Sequence, residues 1–304
     1  MRLVAFVRLC LPHLSLSAAR RAIDETAFRI NGRPGKKGDR LFSGDLISLR
    51  GAAGWLAESP LPADDLKVSV LYEDQHILAL DKPAGIATHG RSGGQRDTLA
   101  NFLAAARPAL CAVGNSAWEA GLVHRLDRET SGIVLAAKER PAFDNLRSQF
   151  RRKLVQKKYW ALVWGRTERE GAIAYPLIHD PAQRQKMKAL TETGRGRKRR
   201  REWKALTRFR VLGRSREFSL LEVATETGVT HQIRAHLKAV GHPLVGDPLY
   251  APDKADPFGL KRHFLHAFYL GFLHPAGGRQ MALESPLPAE LKDVLDRVGI
   301  RMQE

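Results

Sequence analysis

The chain has 304 residues, 43% of them hydrophobic, a globular composition long enough for one large domain and a small companion. Lys and Arg number 50 against 32 Asp and Glu, and the formal charge of +18 points to a polyanionic partner, either nucleic acid or an anionic membrane surface. No run reaches the roughly 18 apolar residues of a membrane span, and two cysteines, Cys10 and Cys111, exclude a disulfide framework and a cysteine-rich zinc site.

Met1 to Arg8 has the basic start and apolar run of a weak export signal, but Arg8, Pro12 and His13 interrupt it, so a cytoplasmic protein is expected. Ser15-Leu-Ser17 is placed to cap a helix through Ala27, with Leu16, Ala19, Ala22 and Ile23 on one face and Arg20 and Arg21 on another. Phe28-Arg-Ile30 reads as a short strand, Asn31-Gly32 as a turn, Arg33 to Lys37 as a basic loop and Asp45 to Leu49 as a closing strand. Arg20, Arg21, Lys36 and Lys37 are candidates to line one phosphate-facing surface. Residues 51–66 mix Gly, Pro and Ala without periodicity and read as a linker.

From Val68 onward, β-rich runs alternate with helices. Strands are predicted at Val68–Tyr72, His76–Leu80, Ile133–Ala137, Tyr159–Trp164, Trp203–Val211 and Phe218–Val223. Helices are predicted at Leu99–Ala106, Ala142–Arg152, Thr230–Val240, stopped by Gly241, and Ala289–Val298. Adjacent strands separated by turns argue for a mixed α+β sheet with flanking helices. Positive charge gathers at 184–216, where 14 Lys or Arg face only Glu192 and Glu202. Six cations in the seven positions 195–201 repel one another unless an anion gathers them, which suits phosphates; a solvated loop is the alternative.

The sequence lacks a phosphate-binding G-x-x-x-x-G-K-[ST], a dinucleotide G-x-G-x-x-G after a strand, H-E-x-x-H and the zinc-deaminase signature. His231 and His236 lie about 140° apart on a helix, poor partners for one metal. Neither a cofactor nor a metal is expected. The informative segment is Gly121 to Gly132, which leads into an apolar strand. Asp127 there lies between Arg125 and Arg128, and two neighbouring cations favour its ionised form. An isolated Arg-Leu-Asp would read as a surface ion pair.

The longer string departs from that plain reading. His124-Arg-Leu-Asp127 followed by Thr130-Ser-Gly132 resembles the signature of the RluA-type pseudouridine synthases. Tyr72-Glu-Asp, Ile77-Leu and Asp81-Lys-Pro-Ala-Gly85 are similar to that family's entry segment, and the run through Tyr159 to Gly165 to its K-x-Y-x-A-x-V-x-G. Thr230-His-Gln-Ile-Arg-Ala-His236, His242 to Tyr250, Leu265-His-Ala267 and His274-Pro275 continue the likeness in order, over about residues 70–280. The first fifty residues resemble an S4-type RNA-binding module, with its helix, its Ile30-Asn-Gly32 turn and its Gly44-Asp45-Leu-Ile47 strand; Glu25-Thr26 departs from the glycine often found there.

The resemblance implies a pseudouridine synthase fold, a mixed and largely antiparallel sheet preceded by the small module. It implies domains at 1–50 and 67–304 joined by the linker. It also implies the reaction: in RNA the N1–C1′ bond of uridine breaks, the uracil turns, and C5 re-bonds to C1′. Asp127 would be the catalytic anion, as nucleophile or as base. Arg234 would pair with it, and Tyr159 would lie beneath the uracil and move a proton at C5. Extruding the base costs a few kcal/mol; Arg125 would fill the vacated space, while His124, Thr130 and Ser131 hold the loop and Gly132 allows its turn into the strand. Val229 replaces an arginine that the family commonly has before T-H-Q-I-R. The implied partner is RNA, large-subunit ribosomal RNA ahead of transfer RNA, with no membrane and a monomeric enzyme. Two other classes stay open here: an RNA-binding protein that no longer catalyses, and a hydrolase using Asp127 with Glu129.

Overall fold

The computed structural model describes residues 1–302 apart from 13, 15, 26, 51–58, 91–94, 184, 192–200 and 255. The Ser15 cap, the first half of the expected linker (51–58) and residues 195–200 of the basic run lie outside the described residues. The chain divides into two units, residues 1–67 with 88–121, and residues 68–87 with 122–304. The stretch 88–121, expected within the second domain, therefore groups with the first unit.

In the first unit, Leu3–Cys10 forms helix α1, not foreseen from the sequence, with Leu3 and Val7 buried one turn apart. Helix α2 (Leu16–Asp24) follows, three residues shorter than expected. Strand β1 (Phe28–Ile30) pairs antiparallel with β2 (Arg33–Pro34) and β3 (Ile47–Leu49). The β1–β2 connection is Asn31-Gly32, with φ of +50° and +81°, the two-residue turn whose twist matches the strands it joins. Leu3, Val7, Ala19, Ala22, Ile23, Phe28 and Ile30 make one apolar cluster beneath these elements. Helix α3 (Leu99–Ala106) starts where Thr98 accepts the Asn101 amide. Residues 61–63, expected within the linker, are tied to this region: Asn101 donates to the Leu61 carbonyl (2.7 Å) and Arg96 to that of Pro62 (2.8 Å).

The second unit is built on a nine-stranded sheet. Its strands are β4 (Ser69–Glu73), β5 (Ile77–Lys82), β6 (Ser131–Ala137), β7 (Gln156–Trp164), β8 (Glu170–Ile173), β11 (Thr207–Arg214), β12 (Phe218–Thr225), β13 (Leu265–Leu273) and β14 (Gln280–Glu284). They run in the order β4-β5-β6-β13-β7-β12-β11-β8, with β14 beside β13, and β9 (Leu177–His179) and β10 (Met187–Ala189) form a separate pair. This is the mixed, largely antiparallel α+β sheet expected, with helices α4 (Arg140–Arg151), α5 (Gln232–Ala239) and α6 (Ala289–Val298) in the same unit. β6 and β13 run parallel, pairing Ser131 with His266 and Gly132 with Ala267.

Every residue of β6 is buried, so it reads as a continuous apolar run. β11 begins at Thr207 rather than Trp203, because Trp203 bridges instead to Leu177 of β9. Gly132 has φ of +114°, and a Cβ there would collide with the backbone of Ala267, so glycine is required by the close approach of β13 as well as by the turn. No helix among the described residues is long and apolar enough to cross a membrane.

Candidate active site

Asp127 stands in the loop entering β6, and that loop is braced on several sides. Thr130 donates its amide to the Asp127 carbonyl (3.1 Å), and the Thr130 hydroxyl, 2% exposed, meets His263 Nε2 at 2.8 Å. The Ser131 hydroxyl contacts His266 Nδ1 and accepts from Arg262. His124 Nε2 accepts the Leu135 amide (3.0 Å), and its ring stacks on Phe150. On the far side of Asp127, Arg128 donates to the Gly85 carbonyl (2.6 Å). The fully buried Lys82 ammonium donates to the carbonyls of Pro83, Ile86 and Arg128. Burial pulls the Lys82 pKa down to about 7, with Arg262 adding to the effect against Glu129 and Asp127. The Asp81-Lys-Pro-Ala-Gly85 segment thus serves as an anchor for the Asp127 loop.

Helix α5 brings up the partner. Its first residue, Gln232, accepts from the Thr227 hydroxyl and the Val229 amide and donates to the Leu206 carbonyl and the Thr207 hydroxyl. Those four bonds start the helix two residues later than the sequence pattern suggests and leave His231 at φ +54°. His231 Nε2 is 3.8 Å from Asp127 Oδ2, and its Nδ1 lies 3.2 Å from the Tyr250 hydroxyl. One turn on, Arg234 Nη1 donates to Asp127 Oδ2 at 3.2 Å. The same guanidinium makes a two-pronged contact with Asp247, Nε to Oδ2 at 2.7 Å and Nη2 to Oδ1 at 2.9 Å, and it lies over the Tyr250 ring. His236 points away, to Thr207 and the Tyr175 carbonyl.

One arginine therefore joins two carboxylates. Burial opposes ionisation of Asp127, whose side chain is 19% exposed, but the facing His231 and Arg234 more than reverse this and hold its pKa below the ordinary carboxylate value. Asp247, with no exposed side-chain surface, is held down the same way: burial raises it, and its bonds to Arg234 outweigh burial. Burial lowers the His231 pKa, and the nearby Asp127 works against that shift.

Asp127, His231 and Arg234 line a small cavity of about 80 Å³ that also takes in Arg125, Thr130, Tyr159, Thr225 and Val229. Tyr159 comes from β7, and burial pushes its phenol up to about 12, so it is protonated at neutral pH. The cavity shares Arg125, Tyr159, Gly228, Val229 and Thr230 with a groove of about 740 Å³. Among the described residues that groove carries Arg147, Arg151, Lys153, Lys157 and Lys204 against the carboxylate of Glu226, and Phe150 and Trp203 also line it. Val229 leaves the junction of cavity and groove without a cation at that position.

Asp127, Arg234, Tyr159, Arg125 and Thr130 are thus gathered in one place, with His124 on the adjoining groove wall. Arg20, Arg21, Lys36 and Lys37 belong to the first unit. Arg21 pairs with Glu25 (3.8 Å), and Lys37 pairs with Asp24, one helical turn from Arg20, so two of those four cations already face carboxylates. The described part of the 184–216 run is similarly divided: Arg210 pairs with Glu222 and Arg208 with Glu226, while Lys204 lines the groove. Asp247 and Tyr250 are site residues that the sequence pattern does not single out. The signal available is a carboxylate fixed between Gly246 and Pro248 in the loop already noted for its resemblance.

Residues 76–239 match the RNA pseudouridylate synthase family. The chain is 38% identical over 304 residues to an uncharacterized RNA pseudouridine synthase of Chloroflexus aurantiacus, covering 99% of this chain and 90% of that one. It is 34% identical to ribosomal large subunit pseudouridine synthase C of Vibrio cholerae (98% and 93% covered) and 35% identical to ribosomal large subunit pseudouridine synthase D of Zymomonas mobilis (77% and 74%). Human RNA pseudouridylate synthase domain containing 1 superposes with a TM-score of 0.58 at 25% identity, covering 75% of this chain and 86% of that one. The chain belongs to the RNA pseudouridine synthase family.

Proposed function

We propose that this enzyme converts specific uridines of large-subunit ribosomal RNA to pseudouridine, with Asp127 as the catalytic anion. The observation that carries the reading is the Asp127–Arg234 contact in a cavity that holds Tyr159 and adjoins a basic groove. Ribosomal RNA as the target is supported by the relatives named for the large ribosomal subunit. The strand follows the groove, and the target base is flipped into the cavity beside Asp127, with Arg125 entering the gap it leaves.

Asp127 either attacks C1′ or removes a sugar proton. Arg234 holds it ionised and aimed, and is itself held by Asp247. The uracil separates from C1′, rotates over the Tyr159 ring and re-bonds through C5. The C5 hydrogen leaves as a proton and N1 gains one, so the atoms balance without a redox partner or group donor. Tyr159 is protonated at neutral pH, so it moves the proton at C5 as a relay, its own hydroxyl proton passing to water as its oxygen takes up the one from C5, and it carries the base as well. Tyr159→Phe is expected to lower kcat by about 100-fold or more with little change in RNA affinity; a retained kcat would reduce Tyr159 to a packing surface.

Residues 1–50 act as an S4-like RNA-binding module preceding a catalytic domain, and the enzyme works as a cytoplasmic monomer. Both cysteines are free thiols, which fits a reducing compartment. Because residues 61–63 are bonded to 96–101, a fragment beginning at residue 59 keeps those hydrogen bonds. Deleting residues 1–50 is expected to leave a folded fragment that binds RNA more weakly. Its salt dependence should be shallower by about 0.7 in slope for each single-strand phosphate that the module would otherwise neutralise.

The reaction is tested by incubating purified protein with RNA and no added cofactor. Pseudouridine is expected; free uracil would indicate a hydrolase, and unchanged RNA a binding protein. Mapping pseudouridines in total RNA with and without the gene tests the target, and sites lost from transfer RNA alone would overturn the ribosomal assignment.

A further inference from the structure

Phe42 is 74% exposed and Leu46 is 70% exposed, two large apolar side chains left in solvent on one short turn. The turn is firmly built. Asp45 accepts the Phe42 amide (2.8 Å) and an Asn31 side-chain N–H (2.8 Å), while Asn31 Oδ1 accepts the Leu46 amide (2.8 Å). The Asn31 amide returns a bond to the Leu46 carbonyl at 2.9 Å, and Gly44, at φ +93°, closes the turn. These bonds hold the backbone of the turn in place, so covering Phe42 costs the freedom of its side chain alone.

The surroundings define what covers it. Residues 1–50 carry ten Lys or Arg against four Asp or Glu. Arg40 is exposed two positions before Phe42, and Arg33, exposed and bonded to Asp39 (2.8 Å), follows the Asn31-Gly32 turn that anchors Asp45. An apolar protein partner would have to bury these cations without matching charge. A nucleotide meets both features, a flat base for the ring and a phosphate for the arginine.

We propose that Phe42, with Leu46 on the same turn, is a stacking platform for an unpaired base of the substrate RNA, with Arg40 on the adjoining phosphate. This rests on the reading of residues 1–50 as an RNA-binding module and adds to it a preference for unpaired over duplex RNA.

The test uses the full chain with a stem-loop oligoribonucleotide and with a fully paired duplex of the same length. Phe42→Ala should weaken stem-loop binding about tenfold at every salt concentration, leave the salt slope unchanged and leave duplex binding unchanged. Phe42→Trp should restore affinity. Arg40→Gln should instead make the slope shallower by about 0.7. Wild-type affinity for Phe42→Ala, with Arg40→Gln weakened, would overturn the platform while sparing the module. If neither variant loses affinity, the module reading falls with it. A change in self-association of Phe42→Ala without RNA would assign the face to a second copy of the chain and overturn the proposal as well.

Discussion

Asp127→Asn is expected to lower pseudouridine formation by at least about 10³-fold while RNA affinity and folding persist. The amide keeps the shape of the carboxylate and removes its charge and nucleophilicity. Removing one partner of a buried ion pair ordinarily leaves the other uncompensated, but Arg234 keeps both bonds to Asp247. The cavity therefore survives the loss of its reactive group. Release of tritium from RNA labelled at uridine C5 measures the step directly, because that hydrogen must leave. Sustained release by Asp127→Asn would remove Asp127 from the chemistry.

Asp247→Asn should have the opposite profile, a large loss of stability together with a loss of turnover. Its carboxylate is completely buried, pairs twice with Arg234 and accepts the Leu249 and Tyr250 amides at 3.0 Å each. Breaking a buried pair of this kind costs about 3–5 kcal/mol, about 10 °C in Tm for a domain of this size. Below the new melting point, kcat should still fall, because Arg234 is no longer fixed from behind and Asp127 loses its orientation. The KM for RNA should change little. The pH dependence separates this from a packing defect. Folding depresses the Asp247 pKa, so the stability it contributes is fully present above its ordinary value of 3.8 and is lost as pH falls through the lower folded value. The gap in stability between wild type and Asp247→Asn should therefore narrow in acid below pH 3.8. A gap independent of pH there would indicate poorer packing rather than the missing charge.

Much of the architecture could be read from the chain, and the exceptions have physical causes. Leu99–Ala106 and Ala289–Val298 are helices with the boundaries expected, and Phe28–Ile30 is the strand expected, because each carries a clear period and ends in suitable residues. β13 escapes a sequence pattern because most of it is buried on both faces, so it shows no alternation. α1 escapes it because its apolar run resembles an export signal when its packing against β-strands and α2 is unknown. At the site, Asp127, Tyr159 and Arg234 could be named through resemblance. The role of Asp247 could not, since it depends on how a loop 13 residues beyond Arg234 returns beneath the helix.

The parallel pairing of β6 with β13 has a consequence for how such an enzyme changes. In a wholly antiparallel sheet, the segments that enter neighbouring strands arrive at opposite ends. Here both arrive at the same end, so Thr130 and His263, 133 positions apart, touch. The two segments are thereby coupled, so a change in the one that enters β13 is felt directly in the loop that holds Asp127.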